Sequence, residues 1–208
     1  MTSPASRGQA HWDSVYAARK VDEVSWFQVR PVLSLELIAR TGKEKGSSII
    51  DVGGGASRLV DALLDEGFER VTVLDISVEA LARARERLGD RARLVTWIAG
   101  DITRWKPPSR YDVWHDRAVF HFLVGPEERR AYREALIAAL PIGAQAIIGT
   151  FASNGPERCS GLPVARYEPD TLAAELGPAF RLVESTHEDH VTPGGKLQRF
   201  QFSRFVRV

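Results

Sequence analysis

Five short apolar runs, SSIIDV (47–52), RVTVLDI (70–76), RLVTWIAGD (93–101), YDVWHD (111–116) and AQAIIGTF (144–151), alternate with segments of helical spacing. This alternation restricts the fold more than any other feature, because strands separated by helical crossovers lie parallel in one sheet with helices on its faces. The crossovers carry their own boundaries. SRLVDALLDEGF places Leu59, Leu63 and Leu64 on one side and stops at Gly67; SVEALARARERLGD starts on Ser77 as an N-cap and stops near Gly89. PEERRAYREALIAALPIG opens with Pro126 and acidic residues in its first turn, then ends at Pro141 and Gly143. At 208 residues, 44% of them hydrophobic, the chain has material for one α/β domain and not for two.

Outside this core the pattern changes. HWDSVYAARKVDEVSWFQ and VRPVLSLELIAR predict a mostly helical N-terminal cap over residues 1–44, ahead of a core over 45–208. SNGPERCSGLPVARYEP (153–169) reads as a long ordered loop, followed by a helix from about Asp170 to Leu176. FRLVESTHEDH and KLQRFQFSRFVRV then read as two strands joined by a turn at Pro193, Gly194 and Gly195.

Composition narrows the class of partner. With 28 basic and 27 acidic residues no global field draws the chain to nucleic acid or an anionic membrane. No apolar stretch reaches the roughly 20 residues of a membrane span, and the N-terminal stretch lacks the apolar core of a secretory signal. Cys159 is the single cysteine, which fits a cytoplasmic setting and leaves no intrachain disulfide. His187 and His190 lack a third ligand, so no metal site is expected.

The first strand runs into IIDVGGGASR (49–58), where the first βα turn of a parallel sheet meets its ligand. Gly53, Gly54 and Gly55 permit positive φ and close approach of backbone to a ligand. A dinucleotide fingerprint needs a third glycine where Arg58 stands, and no P-loop sequence occurs. A cationic ligand bearing an amino acid fits better: Asp51 attracts its ammonium, and the following helix start takes its carboxylate. Asp75, at the end of the second strand, is placed to accept both hydroxyls of a ribose. Asp101, at the end of the third, is placed to accept from an adenine amino group, with Ile76 and Ile102 on either side of the ring. S-adenosylmethionine carries all of these groups.

With Asp51, Gly53, Gly55, Asp75 and Asp101 in this order, the sequence resembles the class I S-adenosylmethionine-dependent methyltransferases over residues of about 45–150. Ser57 departs from the third glycine many members carry. The resemblance implies a Rossmann-like, seven-stranded, mostly parallel sheet closed by a C-terminal antiparallel hairpin. YDVWHDRAVFHFLVGPEERRAY, with HWDSVY, SWFQ and GPERCSGLPVARY, is further similar to the thiopurine and thiol methyltransferase branch. That likeness implies an aromatic N-terminal segment closing over the cofactor, with Trp26 and Arg117 against its methionine portion.

Transfer of a methyl group from a sulfonium needs alignment more than covalent machinery. Asp116 and His121, after the fourth strand, are the candidate acid–base groups, and His115 is expected to meet the cofactor through its backbone. Trp12, Tyr16, Phe27, Phe151 and Tyr167 are the candidate acceptor contacts. The expected activity is methylation of a small molecule through a thiol, selenol, amine or hydroxyl. A protein lysine as acceptor, and a non-catalytic cofactor-binding module, are the alternatives.

Overall fold

The computed structural model describes residues 4–208, so the first three residues of the expected cap lie outside the described residues. Seven strands form one sheet: β1 (Ser48–Val52), β2 (Arg70–Asp75), β3 (Val95–Ala99), β4 (Val113–Arg117), β5 (Gln145–Phe151), and the long hairpin strands β8 (Phe180–Val191) and β9 (Leu197–Arg207). Their order is β3-β2-β1-β4-β5-β9-β8, with β1 to β5 parallel and β9 inserted antiparallel between β5 and β8. This is the seven-stranded arrangement with a closing hairpin that the sequence led us to expect. Strands β6 (Arg158–Cys159) and β7 (Leu162–Pro163) make a minimal hairpin inside the segment expected to be loop, turning through Ser160 and Gly161 at positive φ.

Side-chain alternation on the buried strands splits the core between the two faces. Ile50 and Val52 of β1 join Trp114, Ile148 and Phe205 on one face, under α5 (Pro126–Ala139) and α6 (Pro169–Leu176). Ile49 joins Val71, Val73, Val113 and Ile147 on the other, under α2 (Val32–Ala39), α3 (Leu59–Asp65) and α4 (Val78–Leu88). Leu35, Leu37 and Ile38 of α2 are part of this second core. Of the expected cap, therefore, α2 is a core helix; α1 (Pro4–Ala18) and the segment joining it to α2 reach over the strand ends.

Two caps fix the loops that matter. Ser77 Oγ accepts from Ala80 N at 3.0 Å and starts α4 directly after β2, while Ser77 N donates to Asp75 Oδ1 at 2.7 Å. Asp13 of α1 accepts from Ser77 Oγ at 2.7 Å and from Glu79 N at 3.3 Å, so the cap helix is pinned to the same N-terminus.

Candidate functional site

A cleft opens beyond the C-terminal ends of β1 to β4, the side on which open parallel sheets bind ligands. Its cavity volume is about 170 Å³. The glycine turn forms its floor. Gly53 has φ 68° and donates to Leu74 O at 2.6 Å; a Cβ there would overlap the Val119 Cγ2 methyl. Gly55 has φ 45°, and a Cβ on it would stand 2.8 Å from Asp75 Oδ2 and 3.0 Å from Tyr16 Oη. Bare backbone is thus required by the packing at both positions. Arg58, where a dinucleotide turn has glycine, is exposed and stands just before α3, and Ser57 Oγ accepts from Leu59 N at 3.1 Å.

Asp75, Ile76, Asp101 and Ile102 line the cleft together, at the ends of β2 and β3. Burial pushes the Asp75 carboxyl up to about 7, with the Ser77 N–H opposing the rise and the Asp51 and Asp13 charges adding to it. Asp101 Oδ1 is held by Thr103 N at 2.9 Å and Thr103 Oγ1 at 2.7 Å, which fixes its carboxylate at the wall.

A second, smaller cavity continues from the first and is lined by Asp51, Gly54, His115 and Phe27. The two share Tyr16, Trp26, Gly53 and Arg117. Arg117 Nη1 donates to Trp26 O at 2.9 Å, and Trp26 Nε1 donates to Tyr16 Oη at 3.3 Å, so the cap is tied to β4 across this shared wall. Trp12 meets Trp26 and Phe122 edge-on, with ring centroids 5.7 Å and 5.1 Å away. Arg117 also lies over the Phe200 ring, 4.9 Å from its centroid, while its Nε and Nη2 have no hydrogen-bond partner. Nη2 is 3.6 Å from Glu188 Oε2, longer than a hydrogen bond; burial lowers the guanidinium below its usual value and Glu188 opposes this.

Four expected site residues lie elsewhere. Asp116 is fully buried beneath the turn after β4, where it accepts from Tyr132 Oη at 2.6 Å, Val119 N at 2.8 Å and Phe120 N at 3.1 Å. It shapes the turn that carries Ala118 and Val119 to the cleft. Its oxygens are committed to those three donors, so it is not positioned to take a proton from an acceptor. Asp116→Ala leaves all three donors unpartnered, and denaturant unfolding should show a loss of about 3 kcal/mol or more. His121 is also fully buried, accepts from Phe151 N at 3.3 Å, and has its pKa pushed down to about 3 by burial and then by Arg117. An imidazole this weakly basic is a poor general base near neutrality.

Phe151 packs against His121 and Phe200, and Tyr167 against Phe120, both behind the cleft wall. In their place the acceptor end is lined by Phe122, Cys159, Gln198 and Phe200. Register explains the exchange: Phe200 of β9 pairs with Phe151 of β5, and the partner strand, placed by a contact 49 positions distant in sequence, presents the ring. Burial raises the Cys159 thiol to about 11, leaving it protonated at neutral pH. Among the described residues no three His, Cys, Asp or Glu side chains gather as a metal-ligating group. His190 Nε2 instead contacts Ser25 O at 2.7 Å.

The strand order and the cleft beyond the strand ends are those of a Rossmann-like methyltransferase fold. Residues 49–143 match the family described as "Methyltransferase domain". The chain is 26% identical over 173 residues to thiocyanate methyltransferase 1 of Brassica oleracea, covering 82% of this chain and 67% of that protein. It is 27% identical over 161 residues to trans-aconitate 2-methyltransferase of Rhodopseudomonas palustris, covering 77% of this chain and 58% of that one. The chain therefore spans about two thirds or less of these relatives. The fold is shared, at TM-score 0.72 and 21% identity, with 1,6-didemethyltoxoflavin-N1-methyltransferase of Burkholderia thailandensis, over 100% of this chain and 92% of that structure. The chain carries a methyltransferase domain over residues 49–143, and the methyltransferase names of its relatives agree with S-adenosylmethionine as cofactor. The residues present fit that group: glycines that admit no Cβ, carboxylates at two strand ends, and a second cavity leading past Gly53 to Asp51.

Proposed function

We propose that the protein methylates a small molecule that enters as an anion, a thiolate or carboxylate, and that Arg117 receives its charge. The observation that carries this reading is the acceptor end itself. Aromatic walls from Trp12, Trp26, Phe122 and Phe200 enclose the end of the cleft where the buried Arg117 lies over the Phe200 ring, with Glu188 3.6 Å away as its counter-charge. A buried guanidinium gains most from a carboxylate or similar anion that meets its fork. The names of the thiocyanate and trans-aconitate methyltransferases, both of which denote anionic acceptors, support it. A protein lysine suits this end less well, because its walls are aromatic.

Bound S-adenosylmethionine supplies an electrophilic methyl group on a sulfonium. On our reading the chain's own residues do the remaining work by position. Asp75 accepts from the ribose, Asp101 from the adenine amino group, and Ile76 and Ile102 flank the ring. Asp51 faces the amino group, with Trp26 and the His115 backbone near the methionine portion. Trp12 and Tyr16 exclude water and hold the acceptor in line, an effect worth on the order of 7–11 kcal/mol in favourable cases, while Phe27 lines the Asp51 cavity instead. An anionic nucleophile arrives with its lone pair free and needs no general base.

The test follows S-adenosylhomocysteine formation with thiocyanate, aryl thiolates and small di- and tricarboxylates, against primary amines and lysine peptides. Turnover of an anionic acceptor is expected. Arg117→Leu should then lower kcat/KM about a hundredfold or more, with acceptor KM raised. Turnover confined to lysine peptides, or an Arg117→Leu variant with unaltered acceptor KM, would sink the proposal.

A further inference from the structure

Ser34, on the core helix α2, is only 2% exposed, and its hydroxyl is not spent on its own helix. Ser34 Oγ lies 2.9 Å from His115 Nε2, and His115 Nδ1 lies 2.7 Å from Asp51 Oδ1. The three side chains come from α2, β4 and β1, are 2–3% exposed, and all line the second cavity. We propose that Ser34 and His115 are positioning residues that hold the Asp51 carboxylate aimed at the amino group of S-adenosylmethionine. This rests on the role given to Asp51 above.

The direction of the hydrogen bonds carries the argument. An ionised carboxylate only accepts, so the ring must donate from Nδ1 to Asp51. A neutral ring then has a lone pair on Nε2, and the Ser34 hydroxyl is the donor that meets it. Ser34 thereby fixes which nitrogen bears the proton, and the ring fixes the carboxylate. The other carboxylate oxygen, Oδ2, packs against Gly54, where a Cβ would overlap it. Asp51 is thus locked from both sides, with the cavity that runs past Gly53 as the open direction. The bond order is the one a serine nucleophile uses. At 2% exposure, however, Ser34 offers no approach to an acyl substrate.

A role confined to stability and a role in aiming Asp51 separate by ligand. S-adenosylmethionine carries the amino acid, while 5′-methylthioadenosine carries the same nucleoside without it. Titration calorimetry on Ser34→Ala should show S-adenosylmethionine affinity falling about tenfold, the scale of one hydrogen bond. Methylthioadenosine affinity should stay within about twofold. His115→Leu should repeat the selective loss. His115→Asn, whose amide can donate to Asp51 in place of Nδ1, should recover most of it, and this pair stands as the test even if Ser34→Ala fails to fold.

Equal losses for the two ligands, or no loss in either Ser34→Ala or His115→Leu, would overturn the proposal. Asp51→Asn keeps the outcomes distinguishable: an unchanged ratio of the two affinities in that variant removes the Asp51 role itself, and the proposal with it. Failure of the wild type to bind either ligand would instead remove the cofactor reading.

Discussion

Replacing Asp75 by alanine is expected to weaken S-adenosylmethionine binding by about a hundredfold or more. Two ribose hydroxyls donating to one ionised carboxylate contribute roughly 1.5–3 kcal/mol each. The same side chain gives binding a pH signature. Burial holds the Asp75 carboxyl at about 7 in the native protein, against an ordinary value of 3.8. Between those two values the native state binds the proton and the unfolded chain has released it. Asp75 therefore lowers the stability of the free protein as pH rises from about 4 to about 7. A ligand that donates to the carboxylate favours the ionised form, so affinity should climb by up to about tenfold per pH unit below 7 and level off above it. Calorimetric titrations at pH 6 and pH 8 check both parts. An Asp75→Ala variant with wild-type affinity, or a wild type whose affinity is flat across that range, would remove Asp75 from the ribose site.

Gly53→Ala is the second large effect. Gly42 provides its control, because both residues have φ 68° while a Cβ on Gly42 meets nothing within 4 Å. Each alanine bears the left-handed strain, roughly 1–2 kcal/mol. At Gly53 alone the new methyl collides with Val119, a β-branched side chain with little freedom to turn away, adding about 1–3 kcal/mol of overpacking. Thermal unfolding should therefore show Gly53→Ala as the more destabilised of the two. Binding should separate them further, since Val119 lines the cleft and Gly42 lies at the end of α2, so only Gly53→Ala should lose cofactor affinity. Equal behaviour of the two variants would show that the turn tolerates a side chain.

The part of the cleft at the ends of β1, β2 and β3 was largely legible in the sequence because its residues sit at fixed offsets from strand ends. Gly53, Asp75, Ile76, Asp101 and Ile102 each follow directly from where β1, β2 and β3 stop, and all five line the same cleft. The acceptor half was not legible in that way. Phe200 and Gln198 reach the cleft through the antiparallel insertion of β9, and Cys159 through a two-residue hairpin in a segment read as loop. A pairing register between distant strands leaves no local trace in either partner. Asp116 and His121 show the converse. They have the residue types of acid–base chemistry and sit next to the site in sequence, yet β-strand alternation turns Asp116 inward to Tyr132 and leaves His121 among Phe122, Phe151 and Phe200. Ser34 is a third kind of omission, since a helix assigned to the cap was packed as core and brought its hydroxyl to β4.

The wall common to the two cavities has a consequence for the sequence of events in turnover. Tyr16, Trp26 and Arg117 are joined by hydrogen bonds and face both the nucleoside side and the Asp51 side. Trp12 and Trp26 bound one end of the first cleft beside that shared wall, so a cofactor filling both cavities completes the surface against which an acceptor packs. Steady-state kinetics should accordingly be ordered, with cofactor entering before acceptor and the demethylated cofactor leaving last.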